Sequence, residues 1–238
     1  MSLDEPMGVD LMFFGAHPDD IEIGAGGLVA QQTAKGRKVV LVDLTAGEMA
    51  SNGTVEQRAE EAQKAAEILG VYQRVNLGLP DSRLAVTEEY LEAVVRVLRR
   101  FKPQLVFAPY REDRHPDHIA AANLVTQALF LAGLWKKFPD QQPHRTMKLF
   151  HYFLHYTEKP SFIVDITKVY NQKLESIMAH TSQFGVNLEE KPTELPRLFK
   201  RLEARNTFFG SLAAVQYGEG FYAAEPIRVD DVMRLSGS

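Results

Sequence analysis

Between Val9 and Leu131 the chain alternates four short apolar runs with four segments of helical spacing, and this alternation restricts the fold more than any other feature. Val9 to Ala16, Lys38 to Thr45, Arg74 to Leu77 and Gln104 to Pro109 read as strands. Glu22 to Lys35 reads as a helix stopped by Gly36, and Val55 to Leu69 as a helix stopped by Gly70. Thr87 is placed to cap a helix that runs to Phe101, and Pro116 to open one that reaches about Leu131. A repeated strand–helix order implies an α/β fold: a Rossmann-like, mostly parallel sheet with helices on both faces, in three α/β/α layers.

The second half is less regular. Lys148 to Tyr156 and Phe162 to Asp165 read as strands, and Lys168 to Ala179 as a helix. Glu194 to Gly210 reads as a late helix interrupted near its start by Pro196, and Val215 to Arg228 as loop with a short strand. No internal repeat or linker breaks the pattern, so residues 7–238 are expected to form one domain, with residues 1–6 a disordered lead-in.

Composition narrows the chemistry. The chain has no cysteine, so any metal is held by nitrogen and oxygen donors, and a thiol nucleophile is excluded. Lys and Arg number 27 against 31 Asp and Glu, with no basic run, which argues against nucleic-acid and anionic-membrane partners. The apolar stretches are strand-sized, and the N-terminus carries no basic segment followed by an apolar core, so a cytoplasmic protein is expected.

The strongest local signal is Gly15-Ala16-His17-Pro18-Asp19-Asp20, directly after the first strand. The second is His115-Pro116-Asp117-His118, after the fourth. Open parallel sheets bind ligands outside the carboxyl ends of their strands, so both segments fall at the working edge. His17, Asp20 and His118 would together offer two imidazoles and a carboxylate, with positions left over for water and substrate; zinc and non-haem iron both suit that set. Against this stands a bland alternative. Asp19 or Asp20 could simply cap the helix near Ile21, and Asp117 could sit in a first turn where the macrodipole favours it. Either segment alone supports that reading equally well; the two at one sheet edge do not.

Those paired motifs resemble the LmbE-like (PIG-L-like) N-acetylglucosamine deacetylases, and the resemblance extends over Gly47 to Ala62, the Asn76 to Asp81 turn and Ala179 to Phe184. The additional segments are most similar to the bacillithiol-pathway branch, which deacetylates N-acetylglucosaminyl-malate. The resemblance implies one zinc per subunit on His17, Asp20 and His118, with Fe2+ as an alternative metal. It implies Asp19 as general base and His115 as a partner near the leaving group, with metal-activated water attacking the amide carbonyl. Asp117 is then expected to orient His115 and raise its pKa. Relatives often carry a tyrosine two residues before the first histidine of the second motif; here that position is Asp113. The resemblance also implies a homo-oligomer, with a hexamer as one form, acting on an N-acetylated amino sugar.

Weaker candidates complete the reading. Arg58, Glu48 and Arg111 are assigned to substrate binding, Arg58 for its bidentate fork, with a solvated helix face as its bland alternative. Gly24-Ala25-Gly26-Gly27 lacks the G-x-G-x-x-G spacing and reads as close helix–sheet packing. His144, His151 and His155 read as structural or surface residues, and His180 as a helix-end histidine. Arg205 and Glu219 are expected at the pocket or at a subunit contact. Two rival functions remain: a nucleotide-dependent oxidoreductase, which would bind NAD or NADP without metal, and a non-catalytic sugar-binding protein, which would bind without releasing acetate.

Overall fold

The computed structural model describes residues 8–184 and 197–235. The four sequence-read strands are β1 (Leu11–Gly15), β2 (Val39–Thr45), β3 (Gln73–Leu79) and β4 (Leu105–Pro109). They alternate with α1 (Asp20–Ala34), α2 (Val55–Leu69), α3 (Glu88–Phe101) and α4 (Pro116–Ala132). Then follow β5 (Lys148–Tyr152), β6 (Phe162–Asp165), α5 (Tyr170–Met178), the single turn α6 (Thr181–Phe184), α7 (Arg197–Leu212) and β7 (Gly218–Tyr222). The helix read from Glu194 begins outside the described residues.

One sheet runs in the order β3-β2-β1-β4-β5-β7-β6. The first five strands are parallel, and β7 pairs antiparallel with both β5 and β6. Alternation along β1 divides the core. Met12 and Phe14 pack under α3 and α4, while Leu11 and Phe13 pack under α1. Phe13 is fully buried and stacks on Phe107 at 4.4 Å between ring centroids, a burial that contributes roughly 1.5–3 kcal/mol per side chain. The order reverses between β1 and β4, so the loops leaving these two strands open a crevice at the switch point.

Local chemistry sets the helix limits. Thr54 and Gln57 form a reciprocal capping box at the start of α2, and Gly70 ends it in the left-handed region at φ 68°. Thr87 Oγ1 accepts from the Tyr90 amide, as its position implied. The glycine run of α1 is a packing surface: a Cβ on Gly24 would lie 2.1 Å from the Tyr152 ring, and one on Gly27 2.7 Å from Ile166. The run therefore lies inside the helix as packing surface and does not form a phosphate-binding loop.

Most boundaries shift by one or two residues from the sequence reading, and two of the differences bear on the site. β5 ends at Tyr152, not Tyr156, because the carbonyls of Phe153 and Leu154 bond Arg205 and the His155 amide bonds Asp113. Helix α1 begins at Asp20, which brings that carboxylate into its first turn. Among the described residues, no helix is long and apolar enough to cross a membrane.

Candidate metal centre

The loop from β1 to α1 and the loop from β4 to α4 meet at the switch point. His17, Asp20 and His118 each present a donor atom within 4.8 Å of the others. The two oxygens of Asp20 face the two imidazoles: Oδ2 lies 3.4 Å from His17 Nδ1, and Oδ1 lies 3.1 Å from His118 Nε2. The opposite ring nitrogens are committed elsewhere. His17 Nε2 is 3.2 Å from Asp81 Oδ1, and His118 Nδ1 is 3.0 Å from Asp113 Oδ1. A carboxylate behind each histidine, fixing the ring and its tautomer, is what a metal-binding imidazole requires. The donor set therefore fits a divalent ion of the zinc or iron type. Two other clusters, His17/His115/Asp117 and Asp113/His118/His155, share its histidines. Asp113 is better placed as a support, since it also accepts the amides of His115 and His155.

Electrostatics follow this geometry. Burial alone would lower the pKa of His17, but bonds to Asp117, Asp20 and Asp81 push it up to about 12. Burial likewise opposes protonation of His118, yet the charge of Asp20 and bonds to Asp113 and Asp20 raise it to about 9. Asp20 is held well below the usual carboxylate range by His118 and His17, against its own burial. So much carboxylate charge around two imidazoles attracts a cation.

Asp19 differs from Asp20. Burial, reinforced by the charge of Asp20, lifts its pKa to about 6. Its backbone sits at φ 132°, a costly conformation for a residue with a Cβ, and its side chain makes no capping bond. The helix-cap alternative for Asp19 therefore does not hold. Strain of about 1–3 kcal/mol persists only where the surroundings enforce it. Arg58 is one enforcer: Nη1 bonds Gly47 O at 2.9 Å, Nη2 bonds Pro18 O at 2.8 Å, and Asp19 Oδ2 is 3.7 Å away.

His115 caps α4, and its Nδ1 accepts the Asp117 amide at 3.2 Å, which leaves Nε2 to carry the proton. Asp117 meets His115 through its backbone amide, and its carboxylate has further partners. The Asp117 carboxylate accepts the Ser82 amide at 2.7 Å and lies 3.4 Å from His17 Nε2. Burial, with the charges of His17 and His118, lowers the His115 pKa despite the nearby Asp117 carboxylate.

The residues assigned to substrate binding have other partners. Arg58 is buried, and its fork is spent on backbone carbonyls. Glu48 Oε1 accepts the Asp81 amide at 2.7 Å, so it steadies the carboxylate behind His17. Arg111 is exposed and lies over the rings of Tyr110 and Tyr222. Conversely, His155, read as structural, bonds Asp113 Oδ1 at 2.8 Å and stacks on His118. Asp81 and Asp113 were not assigned to the site. Their signals were present, Asp81 at the end of the Asn76–Asp81 turn and Asp113 at the position where a tyrosine was expected. His180 is fully buried, with Nε2 3.3 Å from Glu22 Oε1. A cavity of about 330 Å3 opens against Asp20 and His118, walled by Ile23, Leu154, Leu202 and Arg205.

Comparison with known proteins bears on this site. Residues 12–129 match the PIG-L family, described as GlcNAc-PI de-N-acetylase. The chain is 34% identical to diacetylchitobiose deacetylase of Thermococcus kodakarensis, over 86% of this chain and 79% of that protein. A 4-oxalmesaconate hydratase of Pseudomonas putida is 26% identical over 89% of this chain and 87% of its own. Among solved structures, the conserved protein TT1542 of Thermus thermophilus superposes with a TM-score of 0.87 at 38% identity, covering 94% of this chain and 98% of that one. The N,N'-diacetylchitobiose deacetylase of Pyrococcus horikoshii gives 0.79 at 28% identity, over 93% and 86% of the two chains.

Proposed function

We propose, from the premise that this chain belongs to the PIG-L (LmbE-like) de-N-acetylase family, that it removes the acetyl group from an N-acetylglucosamine-containing small molecule, with N-acetylglucosaminyl-malate as the substrate on the strength of the Gly47–Ala62, Asn76–Asp81 and Ala179–Phe184 segments. It is a deacetylase acting on acetamido sugars, and the finer reading is a cytoplasmic homo-oligomer with one zinc per subunit on His17, Asp20 and His118. The observation that carries the reading is the double support of the histidines. Asp20 faces both rings from the front while Asp81 and Asp113 hold them from behind.

A zinc ion bound there supplies acidification of water and polarisation of the acetamide carbonyl. The protein's own groups supply the rest. Asp19, with a pKa near 6, takes the proton of the attacking water at its carboxylate. His115, with Nδ1 occupied by the Asp117 amide, offers Nε2–H to the oxygen on which charge develops. Since a neutral donor of this kind returns no net proton, Asp19 passes its proton to the departing amine. Arg58 and Glu48 act on the loops, holding Pro18 and Asp81 in place.

The test is acetate release from N-acetylglucosaminyl-malate, diacetylchitobiose, an N-acetylglucosaminyl-inositol and free N-acetylglucosamine, before and after chelation and zinc restoration. Metal-dependent release, fastest with the malate glycoside, is expected. Full activity in metal-free protein would refute the scheme. Hydration of 4-oxalmesaconate without acetate release would move the chain to the chemistry of its hydratase relative.

A further inference from the structure

Three charged side chains from the second half of the chain, two of them buried, grip helix α1 in its middle. Glu219 on β7 is 1% exposed, and its carboxylate accepts the amides of Gly27 at 2.9 Å and Leu28 at 2.7 Å. In a regular helix those amides point to the carbonyls of Ile23 and Gly24. The Ile23 carbonyl receives Lys173 Nζ at 3.1 Å and Arg205 Nη2 at 2.6 Å. Lys173 is fully buried and also bonds Glu219 Oε1. The other arm of Arg205 reaches the carbonyls of Phe153 and Leu154, at 2.9 and 2.7 Å.

This cluster lies one hydrogen bond from the reacting groups. The Ile23 amide donates to Asp19 O at 3.0 Å, so the residue gripped at its carbonyl also anchors the strained loop. The segment Arg205 holds on its other side leads directly into His155, which bonds Asp113 behind His118. Arg205 also walls the cavity that opens on Asp20 and His118. A regular helix interior would pair these amides and this carbonyl within itself, so the charged side chains take bonds that α1 could otherwise have made alone. Burying them is costly for stability alone, because a well-packed apolar set of the same volume serves as well or better.

We propose that Glu219, Lys173 and Arg205 are positioning residues for the deacetylation read above: a clamp that fixes the first turn of α1, and with it Asp19 and Asp20, against the segment that carries His155. None of the three touches the reacting atoms in this scheme. They act through the Ile23 peptide on one side and the 153–154 carbonyls on the other.

Three variants test the clamp: Glu219→Gln, Arg205→Lys and the double variant Lys173→Met/Glu219→Leu. The double variant removes the buried ion pair without leaving an unpaired charge and returns the Gly27 and Leu28 amides to the helix, so its Tm, measured beside kcat, separates folding from positioning. Well below Tm, each variant is expected to lose kcat by about 10- to 100-fold with KM within about twofold. Each is also expected to bind Co2+ about tenfold more weakly, read from its visible absorption. Wild-type kcat and Co2+ affinity in a variant of unchanged Tm would overturn the proposal. Should Glu219→Gln not fold, Arg205→Lys decides, since it keeps the charge but not the fork. The Co2+ titration needs no substrate. If the wild type releases no acetate, the functional reading fails while the metal affinities still decide the clamp.

Discussion

The β1–β4 half and the β5–β7 half of the sheet bury charge for different ends. In the first half, ionic side chains converge on a point: Asp20, Asp81, Asp113 and Asp117 surround His17 and His118 at the switch of strand order. In the second half they seize backbone. Glu219 takes two amides of α1, and Lys173 and Arg205 take the Ile23 carbonyl. The donors of the chemistry therefore sit on two short loops, and the restraint that keeps those loops in place comes from Arg58 and Glu48 nearby and, further, from far along the chain. A strained residue such as Asp19 needs that restraint, since its own helix end does not stabilise φ 132°.

The contrast is most exposed to test at the metal ligands. His17→Ala or His118→Ala is expected to remove both metal and activity, a loss of at least about 10^3-fold, since several kcal/mol of charge stabilisation go with the ion. Metal analysis of the purified variants beside turnover checks it, and a metal-free variant with wild-type rate would break the assignment. Asp19→Asn is expected to keep its metal while losing about 10^2- to 10^4-fold in kcat, the usual range for a removed general base. Asp113→Asn tests the support behind His118. It is expected to weaken zinc binding by about 10- to 100-fold.

What was legible in the sequence divides along the same line. The first four strands and helices follow from caps, periodicity and glycine stops, all local signals, and Val55–Leu69 is bounded as Thr54 and Gly70 dictate. The donor histidines were legible because each motif is contiguous. Asp81 and His155 were not, because their roles depend on which loops meet across the sheet. His155 was hidden by a strand read through Tyr156, and that strand ends early because Arg205 and Asp113 draw the chain away. Arg58 was read as a substrate fork. Its type was right for bidentate bonding, but only the fold shows that two carbonyls already occupy it.

A smaller effect sharpens the comparison at the border between the halves. Glu22, fully buried, stands between Arg74, whose other arm holds Asp43, and His180 from the second half. Burial would raise its pKa, but the charges of Arg74 and His180 hold it down to about 2. A depressed folded pKa means stability that is complete above pH 4.5 and is lost as pH falls toward 2. Asp43, whose pKa burial raises, works in the opposite direction on the same arginine. The net acid loss from Glu22 is then about 1–3 kcal/mol. Denaturant unfolding of chelated protein between these pH values should show it, and Glu22→Gln should flatten that limb. An unchanged slope would mean that the Arg74 network does not distinguish the charged from the neutral acid.

The smallest expected change belongs wholly to the first half. Thr54 Oγ1 accepts the Gln57 amide at 3.2 Å, and Gln57 Oε1 accepts the Thr54 amide at 2.9 Å, both at the exposed start of α2. Thr54→Ala removes one arm of that box and should lower stability by about 1 kcal/mol. Local capping decides where a helix begins, whereas Arg58, one turn further on, is held through Gly47 and Pro18. Turnover measured well below Tm should accordingly stay within about twofold of wild type, because surface changes of this size rarely reach beyond their own turn. A larger fall in kcat would mean that the start of α2 helps to aim Arg58 at Pro18, so that local capping reaches the Asp19 loop.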